Sequence, residues 1–157
     1  SLRPSIRFVL GLYLIMSTVV RFFNVYGTRQ DSRMVVPKFR NLMKDNEDVI
    51  IYDDGEQTRD FTYIKDVTKC IRKILECKIL DTYNLFEISR GKQETVNYLA
   101  KNMIKLLKSK SKLIHEPIPE ILQQMQVRKR QGDSDSLYDK IKYRPKTNLI
   151  DGLKEML

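Results

Sequence analysis

The sequence predicts an α/β fold, because strand-like and helix-like apolar patterns alternate along the chain. Residues 17–23 are β-branched and aromatic, which is typical of a buried parallel strand. Residues 67–75 instead repeat apolar side chains at positions i, i+3, i+4, i+7 and i+8, which is typical of an amphipathic helix. The composition agrees: 157 residues with 41% hydrophobic and 31% charged side chains suit one globular domain and exclude a disordered chain.

The remaining elements are predicted from the same periodicities and from the residues that begin helices and turns. In chain order they are a loop at 27–32, a helix at about 35–43, a strand at 48–52, a turn at 53–55, a short strand at 61–64, a helix capped by Asp66, a strand at 82–85, a helix capped by Thr95, a strand at 112–115, a polar stretch from 117 to about 136, and a last helix capped by Asn148.

Residues 1–16 form a segment of their own before the main unit at 17–157. Arg3 and Arg7 precede an apolar run at 8–16, which is shorter than the ~20 residues that a membrane-spanning helix needs. We expect this segment to be a helix packed on the sheet. A secretory signal peptide is the alternative, but no small-residue cleavage site separates the run from the strand that follows.

The two cysteines, Cys70 and Cys77, are seven residues apart on a predicted helix. That spacing places them ~10 Å apart, too far for a disulfide bond. They are therefore interpreted as reduced thiols, which indicates a cytoplasmic protein. With His115 as the single histidine, neither a zinc site nor a catalytic cysteine–histidine pair is expected.

The chain carries a formal net charge of +9, which favours anionic partners such as nucleic acid, acidic lipid or a phosphorylated small molecule. Most of the basic residues are scattered, and residues 128–130 form the only tight basic run. The simplest interpretation is a lysine-rich solvated surface. A nucleic-acid-binding module is the alternative, although no known nucleic-acid-binding motif is present.

Two stretches contain the residues best suited to bind a ligand. Asn24 follows a predicted strand, and ligands of open α/β sheets collect at the carboxyl ends of strands. Tyr52 also ends a strand and could stack on a base or fill the core edge. Arg59 lies between a turn and a strand, and its planar guanidinium can bond two oxygens of a diphosphate. The alternative for Arg59 is an ion pair with Asp53, Asp54 or Asp60.

These stretches resemble motifs of a known family. Residues 21–30 read R-F-F-N-V-Y-G-T-R-Q, and residues 51–64 read I-Y-D-D-G-E-Q-T-R-D-F-T-Y-I. They are very similar to the R-(F/Y)-F-N-V-Y-G-P-R-Q and I-Y-G-D-G-x-Q-T-R-D-F-x-Y-V segments of NAD-dependent nucleotide-sugar epimerases and dehydratases. The resemblance covers residues 17–157. It is to the C-terminal, substrate-binding part of an extended short-chain dehydrogenase/reductase, a Rossmann-type fold, and is strongest to the UDP-glucose 4-epimerases.

The resemblance implies a UDP- or dTDP-hexose as the bound nucleotide-sugar. Asn24 and Arg59 would then contact the diphosphate. Val35 would offer backbone groups to the uracil or thymine, and Tyr52 would pack on that base. The rings of Phe22 and Phe23 would border the nicotinamide side of the cleft.

Two departures from the family pattern concern the same cleft. The family's R-x-G-D motif, whose Arg and Asp hold phosphate and ribose, corresponds either to Arg130 and Asp133 or, without gaps, to Gln123 and Gln126. We favour the former pair. The family's N-I-G-T-G turn is replaced by the bulkier residues 84–91, and we expect a longer turn there.

The family's catalytic step uses a G-x-x-G-x-x-G turn for NAD and a Tyr-x-x-x-Lys pair. The six glycines of this chain are not spaced in that way, and Tyr13, the only tyrosine before Tyr26, is followed four residues later by Ser17. In the family the helix with this pair ends shortly before the R-F-F-N strand, so the pair would fall before Ser1. The intact family enzyme oxidises the sugar transiently at C4 with NAD. We do not expect this chain alone to bind NAD or to catalyse. The chain could form a homo-oligomer or bind a partner that supplies the NAD-binding half. The alternative for its function is a degenerate, non-catalytic interaction protein.

Overall fold

The computed structural model of this protein describes residues 17–77, 82–124 and 127–157, so the helix predicted within 1–16 and the side chain of Gln126 lie outside the described residues. The strands are β1 (Ser17–Phe22), β2 (Val25–Tyr26), β3 (Val49–Tyr52), β4 (Thr58–Arg59), β5 (Thr62–Tyr63), β6 (Tyr83–Ile88), β7 (Glu94–Thr95), β8 (Leu113–Glu116) and β9 (Lys129–Arg130). The helices are α1 (Val35–Lys44), α2 (Ile64–Glu76), α3 (Val96–Leu107), α4 (Glu120–Gln123), α5 (Asp135–Ile141) and α6 (Leu149–Met156).

The strand pairs of the described ranges are mostly parallel, as the alternation of strands and helices predicts. β1 pairs with β6, β2 with β5, and β3 with β8, each in parallel. β4 lies between two neighbours, the antiparallel β7 and the parallel β9. This arrangement confirms the α/β class. It also brings β9, from the predicted polar stretch, beside the strand that carries Arg59.

Two clusters of buried apolar side chains form the core of the described residues. The larger cluster joins α1, α3 and α6 to β3 and β5. The smaller joins α2 and α5 to β6. Apolar residues of α1 and α3 lie in the larger cluster, with Phe39, Leu99 and Met103 among the most buried. The caps predicted for α3 and α6 are confirmed, because Thr95 and Asn148 accept hydrogen bonds from the backbone N–H groups of Tyr98 and Asp151.

The prediction that the first strand is buried is wrong. Val19 is 42% exposed and Phe22 is 53% exposed, although both lie in a β-branched and aromatic strand. Among the described residues, Val20 packs against the smaller cluster, and α5 packs on β6, the strand partner of β1. Burial of β1 is therefore provided by its neighbours on the Val20 side. On α2 the same holds for Leu75, which is 81% exposed despite its place in the apolar series.

The prediction that Asp66 caps α2 is wrong. The helix begins two residues earlier, at Ile64, and Asp66 lies buried in its first turn. Its carboxylate accepts hydrogen bonds from the Tyr143 hydroxyl at 2.6 Å and from the backbone N–H groups of Lys146 and Thr147 at 3.0 and 2.8 Å. Asp66 therefore anchors the segment that leads into α6 to the start of α2.

The Asp66 network predicts a pH-dependent stability. Burial opposes ionisation, but the hydrogen bonds outweigh it and hold the pKa of Asp66 below its usual 3.8. A depressed folded-state pKa means that the stabilisation is present above the unfolded value and is lost as pH falls through the folded value. Urea denaturation should show Asp66→Asn less stable than wild type by about 1–3 kcal/mol at neutral pH. This difference should shrink below about pH 4, and a constant gap would contradict this role of the carboxylate.

The two thiols of α2 and its C-cap lie at different depths. Cys70 is buried, and burial raises its pKa to about 12. Cys77 is partly buried, and its sulfur lies 3.6 Å from the carbonyl oxygen of Lys140.

Within the described ranges, every helix is too short or too polar to cross a bilayer. Those ranges also contain no group of three His, Cys, Asp or Glu side chains placed to hold a metal ion.

Candidate functional site

An open cavity of about 330 Å³ lies at the carboxyl end of β1. It is lined by Arg21, Phe22, Phe23, Asn24 and Arg130. The structure thus brings together three of the residues predicted from the first motif and one from the R-x-G-D motif. As expected for an α/β sheet, the cavity sits where a parallel strand ends.

Asn24 has the features of a ligand-binding amide. Its backbone is left-handed, with φ at 34°, and its carbonyl oxygen accepts a hydrogen bond from the Thr62 N–H. This bond ties the end of β1 to β5. The side-chain oxygen of Asn24 is buried without a hydrogen-bond partner in the described residues. Leaving such an atom unpaired costs about 1–3 kcal/mol, so the amide is poised to bond a ligand.

Arg130 reaches this cavity because Gly132 permits a close backbone approach. A Cβ atom at Gly132 would lie 2.5 Å from the Cβ of Ser89 and 2.8 Å from a ring carbon of Phe23. No side chain fits there. The Gly132 N–H also donates to the buried carboxylate of Asp60 at 3.3 Å. The glycine of the R-x-G-D motif therefore has a structural role in bringing β9 against the ends of β1 and β6.

Asp133, the last residue of that motif, is not among the residues that line the cavity. Its side chain accepts a hydrogen bond from the Asp135 N–H at 2.8 Å, next to the start of α5. Its own N–H donates to Glu87 at 2.9 Å. Of the alternative pair, Gln123 is exposed on α4 and donates to the Ile118 carbonyl, whereas Gln126 lies outside the described residues.

Arg59 is held on β4 by backbone carbonyls. Its Nη1 donates to the carbonyl oxygens of Thr58 and Val127, both at 2.7 Å. On one side of the strand it is in register with Arg130, and on the other with Glu94. Burial, together with the charge of Arg130, lowers the pKa of the Arg59 guanidinium from its usual value.

Two of the three carboxylates that could pair with Arg59 are bonded to other groups. Asp54 pairs with Arg128 at 2.9 Å. Asp60 accepts hydrogen bonds from the backbone N–H groups of Arg90 and Gly91, at 3.1 and 2.8 Å, and from that of Gly132. Glu94, the strand neighbour of Arg59 on β7, pairs with Arg90 at 2.8 Å.

A second cavity, of about 240 Å³, contains the residues predicted for the base. Val35 opens α1 and Tyr52 ends β3, and both line this cavity together with Phe39 and Val96. The backbone carbonyl of Tyr52 accepts a hydrogen bond from the Gln57 side chain at 3.2 Å. An aromatic ring and aliphatic walls suit a flat heterocycle.

β4 lies next to residues that line the two cavities. Gln57 lines the cavity of Tyr52, and Arg130, the strand partner of Arg59, lines the cavity of Asn24. Gln57 and Arg59 are two residues apart, about 7 Å along an extended strand. Arg59 itself is in neither lining set. The predicted site residues thus form two groups, with Arg59 on the strand between them.

The stretch at 84–91, which was expected to be a longer turn, is divided in the structure. Residues 84–88 belong to β6, and residues 89–93 connect β6 to β7. The bend in this connection is closed by Asp60, whose carboxylate accepts hydrogen bonds from the Arg90 and Gly91 N–H groups. Sequence reasoning missed this role of Asp60.

A Tyr-x-x-x-Lys spacing also escaped sequence reasoning, at Tyr138 and Lys142 of α5 and its C-cap. The Lys142 ammonium lies 5.5 Å from the centre of the Tyr138 ring and 4.0 Å from Asp139. Neither residue lines the cavity of Asn24 or that of Tyr52. This pair therefore does not stand in for the catalytic pair of the family.

Comparison with known proteins gives a consistent result. Residues 12–86 match the model of the NAD dependent epimerase/dehydratase family. The chain is 27% identical over 145 residues to a UDP-N-acetyl-alpha-D-glucosaminuronate decarboxylase of Bacillus cytotoxicus, an alignment that covers 89% of this chain and 44% of that protein.

Two solved structures show the same fold. A UDP-glucose 4-epimerase from Thermotoga maritima, solved with UDP-glucose, is 33% identical with a TM-score of 0.77 and covers 87% of this chain. A UDP-glucuronic acid 4-epimerase from Bacillus cereus, in complex with UDP-glucuronic acid and NAD, is 25% identical with a TM-score of 0.80 and covers 92%. The alignments span 43% and 45% of those chains, so this chain spans less than half the length of these relatives.

Proposed function

We propose, because this chain belongs to the NAD-dependent epimerase/dehydratase family, that it forms the nucleotide-sugar-binding part of a sugar epimerase or dehydratase. The ligand is a UDP- or dTDP-hexose. The intact enzyme acts by transient oxidation of the sugar at C4, and this chain supplies the groups that hold and orient the substrate.

The observation that carries the proposal is the pair of guanidinium groups at Arg59 and Arg130. Like charges directly opposite on neighbouring strands destabilise a sheet unless an anion lies between or beside them. Arg130 lines the same cavity as Asn24, whose side-chain oxygen is buried without a hydrogen-bond partner in the described residues. A nucleotide diphosphate would neutralise both arginines through charge-assisted hydrogen bonds, and its sugar hydroxyls would donate to Asn24.

The cavity of Val35 and Tyr52 is proposed to hold the base. The Tyr52 ring provides an aromatic surface. The first turn of α1 provides backbone N–H groups that have no carbonyl partner within the helix and can donate to a ligand. A pyrimidine bound there, with its diphosphate at Arg59, would lie across β4. The diphosphate would stay fixed by Arg59 and Arg130 while the sugar turns in the cavity of Asn24.

NAD, when bound to the intact enzyme, accepts a hydride from the sugar and returns it. Of the described residues, Phe22 and Phe23 suit it best, since their rings form one wall of the cavity of Asn24 and could border the flat nicotinamide. The pyrophosphate of NAD needs a glycine-rich turn at a helix N-terminus, and the six glycines of this chain include no G-x-x-G-x-x-G spacing. The chain alone is therefore proposed to bind nucleotide-sugar and not NAD.

A thermal denaturation series tests this proposal. UDP-glucose at about one hundred times its Kd should raise the Tm of the chain by about 5–10 °C, because ligand binding stabilises the folded state. NAD alone should leave the Tm unchanged, and UDP should give a smaller rise than UDP-glucose. The absence of any shift with either UDP-glucose or dTDP-glucose would contradict the proposal.

A further inference from the structure

A third cavity, of about 310 Å³, lies between the bend after β6 and the segment before α6. It is lined by Arg90, Lys92, Arg144, Pro145, Lys146 and Asn148. Four of these six residues are cationic, and none is acidic. The set shares no residue with the cavities of Asn24 and Tyr52.

Arg90 is the buried group of this cavity, with a side chain only 7% exposed. Its Nη2 donates to Glu94 at 2.8 Å. Its Nε and Nη1 are buried and have no hydrogen-bond partner in the described residues. A guanidinium carries five N–H donors in a planar fork, and burying some of them unpaired is costly. Those donors are suited to receive an anion.

Two of the four cations that line the cavity are paired with carboxylates. Arg144 pairs with Asp135 at 2.7 Å, and Arg90 pairs with Glu94. Within the described part of the chain, Lys92 and Lys146 form no ion pair, and both are exposed to solvent. These two lysines are therefore available to an anion that enters the cavity.

Two further carboxylates lie near the cavity, and both are occupied by other donors. Asp60 accepts from three backbone N–H groups. Asp66 accepts from the Tyr143 hydroxyl and from the N–H groups of Lys146 and Thr147. These bonds fix the backbone on both sides of the cavity, so the basic side chains are mounted on rigid supports.

We propose that this cavity is a binding site for a small phosphate-bearing anion. The free Nε and Nη1 of Arg90 would bond two phosphate oxygens from the inner end, as the fork geometry of arginine favours. Lys92 and Lys146 would close over the anion from the rim as mobile point charges. The site is independent of the proposed nucleotide-sugar site, and ligand bound there would clamp the bend after β6 to the segment before α6.

Isothermal titration with inorganic phosphate and with pyrophosphate tests this site. It is best performed in Arg59→Gln protein, in which the proposed diphosphate site is weakened, so that the two proposals fail separately. The double substitution Lys92→Gln and Lys146→Gln changes only exposed side chains and should leave the fold intact. Each lysine removed should weaken anion binding by about tenfold, so the double variant should bind about a hundredfold more weakly. The control Lys101→Gln, on the exposed face of α3, should bind as the parent protein does.

A second variant addresses the buried group directly. Arg90→Gln should abolish pyrophosphate binding, and if it fails to fold, the double lysine variant still decides the matter. Loss of binding in the double variant with retention in Lys101→Gln supports the site. Equal affinity of the double variant and its parent would overturn it, as would no binding of either anion below about 10 mM.

Discussion

Replacing Asp60 with alanine is expected to lower the free energy of unfolding by about 3–5 kcal/mol. Asp60 is fully buried and receives the N–H groups of Arg90, Gly91 and Gly132. Alanine would leave these three backbone donors without an acceptor. The bend after β6 and the segment carrying Arg130 would lose the group that joins them.

Urea denaturation at neutral pH measures this effect. Asp60→Asn keeps one oxygen acceptor and should lose less, about 1–2 kcal/mol. The matched control is Asp139→Ala on the exposed face of α5, where a carboxylate that is 79% exposed pairs with Lys142 at 4.0 Å. Its loss should be below about 0.5 kcal/mol. An Asp60→Ala protein as stable as the control variant would show that the carboxylate does not join these segments.

Replacing Arg59 with glutamine is expected to weaken the affinity for UDP-glucose by about a hundredfold or more, the equivalent of two charge-assisted hydrogen bonds. The Nη1 bonds to Thr58 and Val127 hold the side chain in place, so its charge is delivered to a fixed position beside Arg130. Stability in the absence of ligand should change little, because the substitution also removes repulsion between two neighbouring guanidinium groups.

Titration calorimetry with UDP-glucose measures the Arg59 effect. Arg72→Gln is the control, since Arg72 pairs with Glu76 on the surface of α2 and lines none of the three cavities. Its affinity should equal that of wild type. If Arg59→Gln binds UDP-glucose as tightly as Arg72→Gln does, the role proposed for Arg59 is wrong.

Local sequence patterns predicted most elements of the fold. β-branched runs indicated β1 and β3, and helical spacing indicated α1, α2 and α3. Thr95 and Asn148 could be predicted as caps because capping is local: each side chain bonds a backbone N–H only three residues further along the chain. The placement of Asn24 and Tyr52 at strand ends followed in the same way.

Long-range polar contacts could not be predicted in this way. From the sequence, Asp66 was predicted to cap a helix, and Asp60 was considered as an ion-pair partner of Arg59. In the structure each accepts hydrogen bonds from a segment at least 30 residues away along the chain. The pairing of β9 with β4 likewise depends on Gly132 fitting against Ser89, a contact that no local pattern shows. The exposure of β1 is a property of what packs around it, so its apolar sequence misled the prediction of burial.

The basic run at 128–130 is divided between two environments in the structure. Arg128 is paired with Asp54, and Arg130 lines the cavity of Asn24. The run thus contributes to a surface ion pair and to the candidate site, whereas a phosphate-backbone binder needs its cations free on one face. Other basic residues of the described ranges cluster where Arg59 lies in register with Arg130 and in the cavity of Arg90.

A crystal structure of this chain soaked with UDP-glucose tests the proposed binding mode most directly. We expect the uracil against Tyr52 and the first turn of α1, and the diphosphate in contact with Arg59 and Arg130, with the sugar next to Asn24. Nucleotide bound away from these residues, or none at a concentration that saturates other family members, would contradict it.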